Sequence, residues 1–290
     1  MCLIVGISIA GAIFWCARPV EPIYRGKTLG QWTDEVPNGV SSESLPTNSG
    51  IIAIRAMGTS AAPYAVEMFV SRRSRMRSLI TDTVNKLQGT HLMTEEERWR
   101  KGRMAVTVLG PLARSEVPSL IRTLGDLNED REARSRAAIA LGLIHSDADR
   151  AIPALLDCVK ANTNAHDLLP GASLFAIGCF KTEAKSALPF LRQLLIGNNS
   201  LLGSSAALAI RKIDPAGEDV GPLLAQELKQ PDFSRRWFAT KALGALSGAS
   251  KPPVWIHELL IEAAKDSDAK IAQLARAVLD QSPSRTDSSK

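Results

Sequence analysis

The chain has 290 residues, a net charge of +5 and few aromatics, 5% against a hydrophobic share of 45%. That composition fits a helical repeat better than a sheet protein; of the four cysteines Cys2 and Cys16 flank an apolar N-terminal run, and Cys158 and Cys179, alone in the rest of the chain, do not make a disulfide framework. The mild charge permits contact with nucleic acid or an anionic membrane surface without requiring either.

Residues 2–17, CLIVGISIAGAIFWCA, carry no charge. The run is slightly short of the roughly 20 residues that span a bilayer. No basic stretch precedes it, and Trp15-Cys16-Ala17 is a poor cleavage site. It predicts an uncleaved single-pass membrane anchor over 1–18. A signal peptide is the alternative and would make the body secreted or periplasmic. Arg18, Arg25 and Lys27 follow the run and favour a cytoplasmic body, an inference that a basic stretch ahead of the run would reverse.

Residues 19–49 read as a linker with a short capping helix. Pro19 and Pro22 extend the chain. Thr28 then caps a helix carrying Leu29, Trp32 and Val36. Tyr24, Leu29 and Trp32 are expected to dock on the first repeat, and 37–49, rich in Ser, Pro, Asn and Gly, is expected to form a loop.

Over 50–281 one unit recurs. Its clearest copy is RSRAAIALGLIHSDADRAIPALL, from Arg134 to Leu156: a helix, a turn and the start of a second helix. With Gly142 as marker, the frame returns at Gly58, Gly110, Gly178, Arg211, Gly244 and Leu279, at spacings of 52, 32, 36, 33, 33 and 35 residues. A period in the thirties is a solenoid signature. Five places before the marker stand Ala53, Ala105, Ala137, Ser173, Ala206 and Ala239, and two before it Ala140, Ala176, Ala209 and Ala242 recur. Offsets of three and four put these on one helical face, where small residues let neighbouring helices approach. Glycine at the marker is expected to end its helix in the left-handed conformation. The prolines that follow, Pro63, Pro118, Pro153, Pro189 and Pro222, are expected to open the next helix. Each helix pair cannot bury its apolar face alone and must stack on its neighbours.

The long first spacing holds an insertion. Ser71 to Arg77, SRRSRMR, sets Arg72, Arg73, Arg75 and Arg77 close together, either a phosphate site or a solvated face. Helix-like apolar positions follow at Leu79, Ile80, Val84 and Leu87. Thr94 before Glu95-Glu96-Glu97 reads as a helix start. The polar tail 282–290 is expected to be disordered.

The pattern resembles the HEAT repeat family, in particular the short bacterial HEAT-like repeats of the phycobilisome-lyase type. The residues that carry the resemblance are IPALL from Ile152, ARSRAAIALG ending at Gly142 and SRRWFATKALG ending at Gly244. The copy at Leu201 to Arg211 departs from it, lacking both the glycine and the preceding arginine. Tyr24-x-Gly26-Lys27-x-Leu29-x-x-Trp32 also resembles a segment that follows the anchor in membrane-anchored HEAT repeat proteins. The resemblance implies an all-α fold, a right-handed alpha-alpha superhelix behind an N-terminal transmembrane helix. It is specific for packing and says little about function.

None of His91, His145, His166 and His257 stands at a metal-ligand spacing from a partner. There is no nucleophile elbow, Walker loop or dinucleotide fingerprint. His145-Ser146-Asp147 reads as a helix cap, and Asp266-Ser267-Asp268 as dipole complementation at a helix start. The expectation is a non-enzymatic scaffold, with no catalytic residue, metal or cofactor, binding a protein or peptide along the concave face. Three places before each marker stand Arg55, Thr107, Ile139, Phe175, Leu208, Lys241 and Arg276. In that mixed column Arg55, Phe175, Lys241 and Arg276 are candidate protein contacts. The alternative is nucleic-acid binding, because some HEAT-like proteins are DNA glycosylases that cradle a duplex. Its candidates are Arg72, Arg73, Arg75, Arg77, Arg235, Arg236 and Trp237, with Trp99-Arg100-Lys101 a similar grouping of cation and aromatic. The apolar middle of the column favours a protein partner.

Overall fold

The computed structural model describes residues 19–37, 39–40, 48–72, 81, 93–163, 168–197, 199–217, 219–248 and 252–281. The apolar run 2–17, Arg73, Arg75, Arg77, the apolar positions Leu79 to Leu87, His91, His166 and the tail 282–290 lie outside the described residues. No helix among the described residues is long and apolar enough to cross a membrane. The described chain is all-α apart from one two-stranded ladder, and it divides into two compact units, Met1–Ser146 and Asp147–Lys290.

The first unit opens with β1 (Ile23–Tyr24) antiparallel to β2 (Lys27–Thr28). Arg25 and Gly26 turn the hairpin with φ of 48° and 79°, matching the twist of a two-residue turn. The next element is α1 (Leu29–Asp34). Its Thr28 hydroxyl accepts the Gln31 N–H, and the Gln31 side chain accepts the Thr28 N–H. This reciprocal cap fixes the helix start. Leu29, Trp32 and Val36 are buried, and the Trp32 indole donates to the Tyr24 carbonyl at 2.9 Å. α1 packs on α2 (Ser49–Met57) and on α4 (Glu95–Leu109), from which Lys101 donates to the Gly30 carbonyl and the Asp34 carboxylate. In the same unit α3 (Ala62–Val70) lies on α4, α5 (Val117–Gly125) lies on α6 (Arg131–Ile144), and α4 lies on α6.

The second unit holds α7 (Ala148–Ala161), α8 (Leu168–Cys179), α9 (Leu188–Leu195), α10 (Ser200–Ile213), α11 (Val220–Leu228), α12 (Phe233–Ser247), α13 (Val254–Ala263) and α14 (Ala269–Gln281). The helices that carry the markers pack in series, α8 on α10, α10 on α12 and α12 on α14. Each of α7, α9, α11 and α13 lies on the marker helix that follows it, α8, α10, α12 and α14 in turn. The small columns are where this packing happens. Ser173, Ala176, Ala206, Ala209, Ala239 and Ala242 are all buried, and in the first unit so are Ala137 and Ala140 of α6.

The marker glycines divide into two kinds. Gly58 and Gly110 follow α2 and α4 with φ of 56° and 47° and ψ of −135° and −126°, a region open to glycine and little else. Gly142, Gly178 and Gly244 instead lie inside α6, α8 and α12, contrary to the expectation of a left-handed helix end. At two of these a different constraint acts. A Cβ on Gly178 would stand 3.0 Å from the Ala209 Cα, and one on Gly244 would stand 3.1 Å from Val278 Cγ2. Glycine there permits close approach of the next marker helix. The left-handed residue that follows α6 is His145, with φ of 36°.

The prolines divide in the same way. Pro63, Pro118 and Pro189 stand in the first turn of α3, α5 and α9, each after a 3-10 turn. Pro153 lies inside α7, which begins at Ala148. The stretch before Pro153 already bonds as α-helix, Ala151 N–H to the Asp147 carbonyl at 2.9 Å, so the helix starts earlier than the proline.

Candidate interaction surface

The basic residues are largely engaged with the protein itself. Arg55 Nε donates to the Val108 carbonyl at 3.4 Å, near the end of α4. Arg134 Nε donates to Leu124 O of α5 at 2.9 Å, Arg211 Nη1 to Ala245 O of α12 at 2.8 Å, and Arg276 Nη2 to Ala264 O just past α13 at 3.1 Å. Four arginines thus reach the C-terminal carbonyls of another helix, which lack intrahelical donors and carry the negative end of the helix dipole. Two of them, Arg55 and Arg276, are candidates from the column three places before the marker.

Arg235 and Arg236 are each clamped by a carboxylate. Arg235 Nε and Nη2 donate to Glu227 Oε2 and Oε1 at 2.7 and 2.6 Å, and Glu227 is buried. The hydrogen bond to Glu227 pushes the Arg235 guanidinium above its ordinary value. Arg236 Nε and Nη2 donate to Asp266 Oδ2 and Oδ1, and Nη1 donates to the Gln230 and Pro231 carbonyls. Bidentate pairing of this kind leaves little of either fork for a phosphate. Asp266 is therefore an ion-pair partner, while Asp268 is the cap of α14, accepting from the N–H of Lys270 and Ile271.

In the first unit, Arg136 stacks over the Trp99 ring at 4.0 Å. Its Nη2 and the Trp99 indole both donate to the Ser71 carbonyl, at 3.0 and 3.3 Å. This pins the end of α3. Arg72, the next residue, is exposed. Arg100 and Lys101 both pair with Asp34. The Ser146 hydroxyl bonds back to Ile144 O, and Asp147 makes no side-chain capping bond to α7. No group of three His, Cys, Asp or Glu among the described residues could hold a metal ion. Burial pushes the Cys179 thiol up.

Phe175 and Lys241 belong to a different environment. Phe175 is 43% exposed on α8, and Leu208, at the same register on α10, is 42% exposed. Seven residues earlier on each helix, Leu168 is 75% and Leu201 is 52% exposed. Lys212 lies 4.4 Å over the Phe175 ring and Lys241 5.9 Å from the Trp237 ring, which itself stacks on Phe233. The sequence column included Phe175, Leu208 and Lys241 but missed Leu168 and Leu201. The signal that would have found them is the i, i+7 repeat of large apolar residues on the side of the helix opposite the buried alanines. A separate small cavity of about 10 Å³, lined by Arg211, Asp214, Gly217 and Trp255 among others, has room for about one water.

No protein-family model matches the chain, and no curated protein matches it. Among solved structures it is similar to two crystal structures of engineered proteins from the Northeast Structural Genomics Consortium. The first is 18% identical, with a TM-score of 0.32, over 87% of this chain and 95% of that one. The second is 19% identical, with a TM-score of 0.32, over 87% of this chain and 67% of that one.

Proposed function

We propose that the chain is a non-enzymatic interaction scaffold, tethered to a membrane by residues 1–18, that binds a protein or peptide on the exposed face of α8, α10 and α12. In this reading each unit is a stretch of right-handed, HEAT-like αα-solenoid. The observation that carries it is the apolar row of Leu168, Phe175, Leu201 and Leu208, exposed on two adjacent helices. Large side chains grouped in the open on packed helices favour a protein partner over a phosphate track. The engagement of Arg235 and Arg236 with carboxylates weighs the same way.

The test is photo-crosslinking in cells, with a photoreactive residue at Leu208, followed by capture in detergent with and without nuclease and mass spectrometry. A protein crosslinked through position 208 and retained after nuclease is the expected result. Recovery of nucleic acid, or of partners that vanish with nuclease, overturns the reading in favour of the nucleic-acid alternative. Release of the full-length protein by carbonate extraction removes the tether.

A further inference from the structure

The exposed face has a relief and a charge that narrow its partner. Between the row of Leu168 and Leu201 and the row of Phe175 and Leu208 stand Gly171 and Ser204, seven places before their markers. Positions separated by three, four and seven share a helix face, so the small pair lies low between two large rows. A Cβ at Gly171 would meet only Ser205 Oγ, at 3.7 Å. On α12 the same register carries Trp237, half-buried and stacked on Phe233 with ring centroids 5.8 Å apart. The result is a shallow apolar furrow across α8 and α10 that meets an aromatic wall on α12.

The three helices contain no Asp or Glu. Of their five cations, Arg211 is held by a carbonyl and Arg235 and Arg236 by carboxylates. Lys212 and Lys241 differ. Each stands by a ring, Lys212 also within 3.9 Å of Cys179 Sγ, and neither makes an ion pair among the described residues.

We infer that the furrow takes one face of an acidic amphipathic helix from a protein partner, an inference that rests on the scaffold reading above. The apolar rows lie seven residues, about 10.5 Å, apart along α8 and α10, close to the roughly 10–12 Å diameter of a helix with its side chains, so a helix laid along the furrow rests on both rows. Carboxylates at the edge of that partner meet Lys212 and Lys241, the two lysines of these three helices, which pair with no carboxylate among the described residues. A second copy of this chain does not fit. An isologous contact sets the same acid-free, lysine-bearing helices against each other, and the net charge of +5 adds to the repulsion.

The experiment uses full-length protein in nonionic detergent and a fluorescein-labelled synthetic helix, with Leu on one face and Glu elsewhere. Two further probes replace every Glu by Lys or every Leu by Ser, and a detergent blank is subtracted. Anisotropy is expected to show saturable binding of the Leu/Glu probe, with both others weaker by at least about tenfold. Lys212→Glu with Lys241→Glu is expected to reverse the preference between the Glu and Lys probes. Leu208→Ser is expected to weaken binding about tenfold with an unchanged circular dichroism spectrum. Equal binding of the Glu and Lys probes, no reversal on charge exchange, or no binding at all overturns the inference. If a protein still crosslinks at position 208 while the Leu/Glu probe fails, the partner's chemistry is wrong and the scaffold reading stands. If neither is seen, both fall.

Discussion

Arg236 on α12 grips Asp266, which precedes α14, through Nε to Oδ2 at 2.8 Å and Nη2 to Oδ1 at 3.3 Å. Both side chains are largely buried, 15% and 8% exposed. Burial pushes the Asp266 carboxyl up, but the Arg236 hydrogen bond, the Asp268 backbone N–H and the Arg236 charge together hold it below its ordinary 3.8. A carboxyl with a depressed folded value stabilises the fold fully above its unfolded value, and the contribution fades as pH falls through the folded one. Asp266→Asn is therefore expected to lower stability by about 1–2 kcal/mol at pH 7, and the gap from the unaltered protein is expected to close below pH 3.8. Denaturant titrations at pH 7 and pH 3 check this. A gap of equal size at both would show that the charge is not what the pair contributes.

Gly102 and Gly125 make opposite predictions from the same substitution. A Cβ on Gly102 would stand 2.5 Å from the Phe69 backbone N and 2.9 Å from the Met68 backbone carbon. Those are main-chain atoms of α3, so the helices themselves must part. Gly102→Ala is expected to cost about 1–3 kcal/mol. Around Gly125, at the end of α5, a Cβ meets nothing within 4 Å and φ is not positive. Gly125→Ala is expected to be neutral or to stabilise by up to about 1 kcal/mol through helix propensity. Melting curves of the two variants separate the cases, and similar shifts would contradict the packing described for Gly102.

The difference between these glycines shows what the sequence could reveal. Local signals were legible: Thr28 and Thr94 each form the reciprocal cap that their spacing to Gln31 and Glu97 implies, and the alanine columns lie in the helix interfaces. A marker glycine needed for its φ and one needed for a neighbour's proximity look the same in one sequence. Gly110 and Gly178 share a repeat position, yet the first turns the chain and the second faces Ala209. Candidate cations were harder to read, because what occupies them lies one helix away. Arg55 meets a carbonyl 53 residues distant and Arg236 a carboxylate 30 residues distant, separations that no local motif encodes.

Arg211 occupies a marker place that is glycine in most copies, so Arg211→Gly restores the repeat pattern. It is nonetheless expected to destabilise. The substitution removes the Nη1 bond to the Ala245 carbonyl, worth about 1–2 kcal/mol for a charged donor at a helix C-terminus. It also puts glycine inside α10, which runs to Ile213, at a further cost of about 1 kcal/mol. A calorimetric melt that rose or stayed level would mean that Arg211 is not a capping group.

The exposed row on α8 and α10 predicts a contrast within single helices. Leu168 and Leu208 lie open, whereas Leu174 and Leu202, on the same two helices, are buried. If register alone decides, Leu174→Ala and Leu202→Ala should each cost about 2–5 kcal/mol through lost burial and the cavity left behind. Leu168→Ser, at a position 75% exposed, should stay within about 0.5 kcal/mol, and Leu208→Ser, at one 42% exposed, should cost no more than about 1 kcal/mol. The comparison uses urea midpoints for all four variants in one buffer. Large losses at Leu168 and Leu208 would mean that the row is covered in the folded protein, and an already covered row offers no face to a partner.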